Sequence, residues 1–369
     1  CAVVVTRCGC GTTFCARAGN AQRKNAASDA IGASVSKELG RHFEREIFEQ
    51  PDRWEALARS DASSALAAAL EGDVLLIGSG SSLFAAQLGA IALRRRGIDA
   101  TAVAATEAPG DHRAYQGRTV VAISQSGRST DVLRALDALR PRSVVALTNT
   151  SDSPLGERAN VTIDVAAGPE RAIPATKSVS CTIAILLTAA SLRGGDQSRN
   201  AAVLVRTAET IRAWLRDSTA AIAVPAARIA HCSGIVILGT DYGVPIAREA
   251  ALKFKEATYM HAEGFEAGEF RHGSAAMADP STAAIGIVDR DGSPIVGAAM
   301  RDLAARGALR LVVGTEPIDG IERVGPIVDD PYNTLAALVT VQLLALHIAR
   351  TRGVDSDAPR GLTKAIVSP

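Results

Sequence analysis

The stretch from Arg248 to Gly273 gathers the densest acid–base chemistry in this chain of 369 residues. Glu249, Lys253 and Glu256 fall at i, i+4 and i+7, which on a helix is a single face. His261, Glu263, Glu269 and His272 follow in a segment that reads as turn-rich. Such a helix is ordinarily a solvated surface with ion pairs worth about 0.2–0.5 kcal/mol each. That reading weakens here because the helix follows an apolar strand, Ile235–Leu238, and the turn Gly239-Thr240-Asp241-Tyr242-Gly243. Ligands of open α/β sheets bind at such strand ends.

Two other turns are rich in hydroxyls. Gly78-Ser79-Gly80-Ser81-Ser82 and Ser124-Gln125-Ser126-Gly127-Arg128-Ser129-Thr130 each end a short apolar run and open a helix. A helix N-terminus offers free N–H groups and partial positive charge, and neighbouring hydroxyls add donors. Capping alone would explain one such turn. Two of them at the same sheet edge predict a phosphate cradle that needs no lysine. Asp241 and Tyr242 replace the serines in the rear turn, which suits an anion poorly. The expected division of labour is phosphate on the front half and acid–base groups on the rear half.

The elements that must position these groups alternate along the chain. Spacing of Leu39, Phe43, Ile47 and Phe48 predicts an amphipathic helix over 36–58, with Pro51 as a break or a second cap. Strands are predicted at Val74–Ile77, Ala100–Ala104, Val120–Ile123, Val144–Thr148 and Val161–Val165, with helices at 81–95 and 131–139 between them. Long helical stretches follow at Ala175–Leu192 and Asn200–Leu215. A second alternation then runs through the strand at Ile235, a helix from Val244 to about His261, and strands at Ala283–Val288, Leu309–Val313 and Ile327–Val328. It ends in a helix over Leu335–Thr351 and an irregular tail, 354–369. Continuous apolar strands alternating with helices imply parallel sheets covered on both faces. Leu75-Leu76-Ile77-Gly78 and Val236-Ile237-Leu238-Gly239 look alike, so the fold class is α/β, two similar domains derived by duplication. The expected boundaries are a disordered leader at 1–34, a first domain at 35–195, a second at 196–353, and the tail.

Composition excludes several classes. Hydrophobic residues at 47% and charged residues at 21% rule out a disordered or fibrous chain. Aromatics are only 4%, so aliphatic side chains must fill the core. A net charge of +1 argues against nucleic acid as partner. The apolar run Cys181–Leu192 is shorter than the roughly 20 residues of a bilayer span, so no membrane is expected. Cys1, Cys8, Cys10 and Cys15 crowd the start without a C-x-x-C pair or a nearby His, and only Cys181 and Cys232 follow. The main body therefore reads as reduced and cytoplasmic. Other motifs are incomplete. Gly78-Ser79-Gly80 has Leu83 where a dinucleotide fingerprint needs its third Gly, no Gly-Lys-Ser/Thr loop occurs, and His261-Ala262-Glu263 is followed by no cysteine pair. Neither a metal nor a cofactor is expected.

From about Ser36 to Pro369 the chain resembles the two-domain SIS (sugar isomerase) proteins, especially the isomerase half of glucosamine-6-phosphate synthases. The matching stretches include Glu46-Ile47-Phe48-Glu49-Gln50-Pro51, Ile123-Ser124-Gln125-Ser126-Gly127 and Glu249-Ala250-Ala251-Leu252-Lys253-Phe254-Lys255-Glu256. Gly268-Glu269-Phe270-Arg271-His272-Gly273 and Pro359-Arg360-Gly361-Leu362-Thr363-Lys364 complete the set. The resemblance implies that Ser82, Ser124, Gln125, Ser126 and Ser129 hold a sugar phosphate, with Ile173 and Ala175 beside the sugar. It implies that Glu256 moves a proton between C1 and C2, supported by Lys253 and Glu249. His272 would open the ring from the neighbouring subunit of a homodimer, and Lys364 would assist at the anomeric centre. A carboxylate beside a lysine suits enolisation and an imidazole titrates near neutral pH.

Two departures bear on the reaction. Cys1 invites comparison with a catalytic first cysteine, but too few residues precede the SIS region for a glutaminase domain, so transfer from glutamine is not expected. Ser126-Gly127-Arg128-Ser129 and Pro174-Ala175-Thr176-Lys177-Ser178 look closer to stand-alone amino-sugar phosphate deaminases, with Ala175 where the synthase has a Ser. The expectation is interconversion of glucosamine 6-phosphate with fructose 6-phosphate and ammonia. A fructosamine-6-phosphate deglycase, an aldose–ketose isomerase and a non-catalytic sugar-phosphate sensor are the alternatives.

Overall fold

In the computed structural model, residues 38–195, 200–289 and 291–364 are described. The leader with its four cysteines and the last five residues of the tail lie outside them. Ten strands form two five-stranded sheets. The first contains β1 (Val74–Gly78), β2 (Ala100–Ala104), β3 (Thr119–Ile123), β4 (Ser143–Thr148) and β5 (Val161–Asp164) in the order β2-β1-β3-β4-β5. The second contains β6 (Gly234–Gly239), β7 (His261–Glu266), β8 (Thr282–Val288), β9 (Leu309–Gly314) and β10 (Glu322–Val324) in the order β10-β9-β8-β6-β7. Every pairing is parallel. Counted from its own first strand, each sheet repeats the same order, as duplication predicts. The fold is α/β, two parallel sheets flanked by helices.

The two sheets share a core. One continuous apolar cluster joins Leu76 and Val121 of the first sheet to Ile235 and Ile285 of the second, through the helices Lys177–Arg193, Gly243–Thr258 and Asn333–Thr351. The outer face of each sheet has its own smaller cluster. Helix Asn333–Thr351 is long and apolar enough to cross a membrane by length and composition, which the shorter run at Cys181–Leu192 is not. It is instead the central helix of the molecule, 83% buried, packed on helices Asn200–Ile229 and Gly243–Thr258 and on β9.

Several expected boundaries move. The helix over 36–58 is two, Arg41–Phe48 and Gln50–Ala58, with Pro51 in the first turn of the second, where its missing N–H costs nothing. The helix from Asn200 continues to Ile229, and helices Ala62–Ala69 and Ser293–Ala305 fill gaps in the expected pattern. The expected strand at Ile327–Val328 is coil, and β10 lies a few residues earlier. The largest difference is β7. Helix Gly243–Thr258 stops where Tyr259 turns left-handed (φ 58°), and the segment expected to be turn-rich pairs with β6. Gly264 permits this strand to run close to the helix, since a Cβ there would come 2.5 Å from the Ala247 carbonyl carbon.

Candidate active site

The site begins where β1 ends. A Cβ on Gly78 would stand 2.7 Å from the carbonyl carbon of Ser82, so glycine alone lets the helix Ser81–Arg94 start directly over its strand. Gly80 completes the turn with φ 56°. At the neighbouring strand β3, Gly127 (φ 62°) packs against Ser153, leaving Ser124 buried and Gln125, Ser126 and Ser129 half-buried around the start of helix Thr130–Ala138. β1 and β3 are adjacent, and the chain leaves them toward opposite sides of the sheet. That switch point is where this topology leaves a crevice. A narrow cleft of about 40 Å³ lies there, walled by Ser81, Ser82, Gln125, Thr148, Ala175 and Ser178.

The second lobe reaches this cleft through helix Gly243–Thr258. Ser81 Oγ donates to Glu249 Oε1 at 3.0 Å. Lys253 Nζ lies 2.5 Å from Glu256 Oε2, 3.5 Å from Glu249 Oε1 and 3.4 Å from Ser81 Oγ. Glu249 and Lys253 are fully buried, while Glu256 keeps 17% of its side chain exposed. Burial pushes the Glu249 carboxyl up to about 7, against the pull of Lys253 and with the help of the Glu256 charge. Burial opposes the charge on Lys253 too, but Glu249 and Glu256 outweigh it and hold the ammonium above its ordinary range. The three residues expected on one helix face are therefore a single bonded group, attached to the hydroxyl-rich turn through Ser81.

Lys364 approaches from the tail. Its Nζ donates to Glu170 Oε2 at 3.1 Å and to the carbonyl of Ala172. Glu170 is completely buried and accepts from the N–H groups of Thr176 (2.9 Å) and Ser178 (3.1 Å) and from the Ser178 hydroxyl (2.8 Å). Burial would raise its carboxyl, yet Lys364, those amides and that hydroxyl hold it down at about 2. Since Ser178 lines the cleft, Lys364 stands one link from it. Ile173 is half-buried and its N–H bonds the tail carbonyl of Asp357 at 3.4 Å. Ala175 presents a bare methyl to the cleft.

His272 is not part of this assembly within one chain. It lies exposed just after the short helix Ala267–Phe270. Its imidazole has no hydrogen bond or ion pair among the described residues. His261 and Glu263 point outward from the edge strand β7 and are exposed. Glu170 and Ser178 are the site residues that spacing did not single out, and Ser81, expected in the hydroxyl-rich turn, faces Glu249. The signal available for Glu170 was its place just beyond β5, in Gly168-Pro169-Glu170. No group of three or more potential metal ligands clusters among the described residues.

The family model for the SIS domain matches residues 70–192 and 228–325, one segment on each sheet. The chain belongs to the SIS-domain family. It is 33% identical over 367 residues to a glutamine–fructose-6-phosphate aminotransferase (isomerizing) from Aeropyrum pernix, covering 90% of this chain and 58% of that relative. This SIS chain thus spans somewhat more than half the length of the curated relative. Among solved structures, the C-terminal domain of a glucosamine-fructose-6-phosphate aminotransferase from Francisella tularensis superposes with a TM-score of 0.75 at 23% identity, covering 86% of this chain and 98% of that one. A glucosamine-6-phosphate deaminase from Thermotoga maritima gives 0.71 at 22% identity, covering 89% and 100%. These two likenesses establish the double-SIS fold.

Proposed function

We infer that this SIS chain is a phosphosugar isomerase that interconverts glucosamine 6-phosphate with fructose 6-phosphate and ammonia. The observation that carries this reading is the bond from Ser81, in the hydroxyl-rich turn, to the buried Glu249–Lys253–Glu256 group. It supports the reading because it joins the hydroxyl-rich turn of one lobe to the acid–base group of the other. The phosphate is held by Ser82, Ser124, Gln125, Ser126 and Ser129, and the sugar runs from there toward Glu256. His272 of a second copy opens the ring. Glu256 takes the C2 proton of the open amino-aldose and returns it to C1, leaving an imine at C2. Water adds to that carbon and ammonia leaves, giving the ketose. Lys253, bonded to Glu256, and Glu249, with its raised pKa, relay protons during these steps. Lys364 acts at the anomeric end, held in place by Glu170.

Ala175 favours a second reading. A methyl on the cleft wall makes no hydrogen bond to the sugar, which favours an N-substituted fructosamine 6-phosphate as substrate. Incubation with glucosamine 6-phosphate, with ammonia and fructose 6-phosphate assayed together, tests the main reading. Equal amounts of both are expected. Conversion of fructosamine adducts alone would favour the deglycase, and stabilisation by phosphosugars without any conversion would favour a sensor.

A further inference from the structure

A second cavity lies apart from the phosphosugar cleft. It lies in the second lobe between helix Ser293–Ala305 and the loop after β9, and holds about 460 Å³. That size falls within the usual range of small-molecule sites, roughly 300–1,000 Å³. On the helix side its wall is Pro294, Gly297 and Arg301, which share one face. Arg310 enters from β9, and Pro317, Ile318, Asp319 and Ile321 close the other side. At Gly297 the wall is bare backbone, and a Cβ there would stand in ordinary contact, 3.5 Å, with Nη1 of Arg301.

The charges are what set this cavity apart. Among the described residues the guanidinium groups of Arg301 and Arg310 have no hydrogen bond or ion pair. Their neighbours are satisfied: Arg271 pairs with Asp302 at 2.6 Å, and Arg306 donates to the Asp302 carbonyl at 2.8 Å. Asp302 is thereby committed to Arg271, leaving Arg301 to the cavity. The helix N-terminus adds little, because the Ser293, Ile295 and Val296 amides already bond Asp289 and Gly292.

We propose that this cavity is a second ligand site, for a nucleoside phosphate. Two guanidinium groups on the wall of one cavity supply donors that match phosphate oxygens. Asp319, a lone carboxylate on the same wall, accepts from ribose hydroxyls, the use carboxylates have in nucleotide sites. The prolines and isoleucines offer an apolar surface to the base. The phosphosugar chemistry uses none of these residues, and the proposal stands independently of it.

The test is calorimetric titration of the full chain with ADP, run with and without fructose 6-phosphate, the arginine variants assigning the binding to this cavity. One ADP per chain is expected, weakened at least about tenfold in Arg301→Ala/Arg310→Ala, with thermal midpoint and sugar turnover retained. Arg310 is half-buried, so the exposed single change Arg301→Glu serves as a second variant and is expected to weaken ADP by at least as much. Adenosine should bind far more weakly than ADP. Absence of ADP binding at millimolar concentration would overturn the proposal, as would equal affinity for wild type and Arg301→Glu.

Discussion

Lys253 and Glu249 are completely buried, and charges in that position are retained only if they are paired. Glu249 Oε2 has no partner among the described residues, which fits a carboxyl that carries a proton near neutral pH. Glu170 is the opposite case, a buried carboxylate surrounded by donors. Its folded-state pKa of about 2 is below the ordinary 4.5, so it contributes stability above the ordinary value that is lost as pH falls toward 2. Glu170→Gln should flatten that acid limb and cost about 2 kcal/mol at neutral pH, from amide and hydroxyl donors left poorly satisfied. Denaturant titrations across acid pH measure both. Turnover should fall with them, because Lys364 loses its anchor, while phosphosugar affinity changes little. The value of Glu170 was not legible in the sequence. It arises from a contact between residues 194 apart, which no local spacing encodes.

At the scale of elements, the two strand–turn–helix units explain each other. The Cβ that Gly78 lacks would strike Ser82, and the one Gly239 lacks would come 2.3 Å from the Gly243 carbonyl oxygen. The same tight turn is thus built twice, with a hydroxyl at its helix start only in the first lobe. Gly78→Ala should push the first turn of helix Ser81–Arg94 off its strand and raise KM for the phosphosugar by about tenfold or more, with a smaller change in kcat. Steady-state kinetics on the variant check this, and an unchanged KM would detach the turn from phosphate binding. Short apolar strands such as Val-Leu-Leu-Ile at 74–77 were readable because both their faces are buried. β7 was not, because exposed His261 and Glu263 alternate with only one buried residue, Ala262, in an edge strand. Its end signal, Tyr259 in left-handed conformation, belongs to a residue type that gives no warning of it.

Across the whole molecule, the shared helical core fixes one lobe against the other. Arg248 donates to Gln87 at 3.0 Å and Arg95 pairs with Asp241, both between lobes. One chain therefore unites the hydroxyl-rich turns, the Glu249–Lys253–Glu256 group and Lys364, and leaves His272 exposed on the second lobe. If His272 acts in a second copy, then exchanging subunits between Glu256→Gln and His272→Ala should restore a fraction of the activity that neither variant has alone. Mixtures that stay inactive after verified exchange would place His272 in its own chain's site. The double α/β plan was legible from strand ends and turn composition. The common core was not, because burial on both faces does not tell which element lies opposite. The central claim is that Glu256 carries the proton between C1 and C2 of a sugar anchored by the first lobe. Its most direct test is NMR of the phosphosugar incubated in deuterated water with wild type and with Glu256→Gln. Wild type should introduce deuterium at C1 or C2, while the variant binds the sugar and introduces none. Deuterium entering at the wild-type rate with Glu256→Gln would contradict the account.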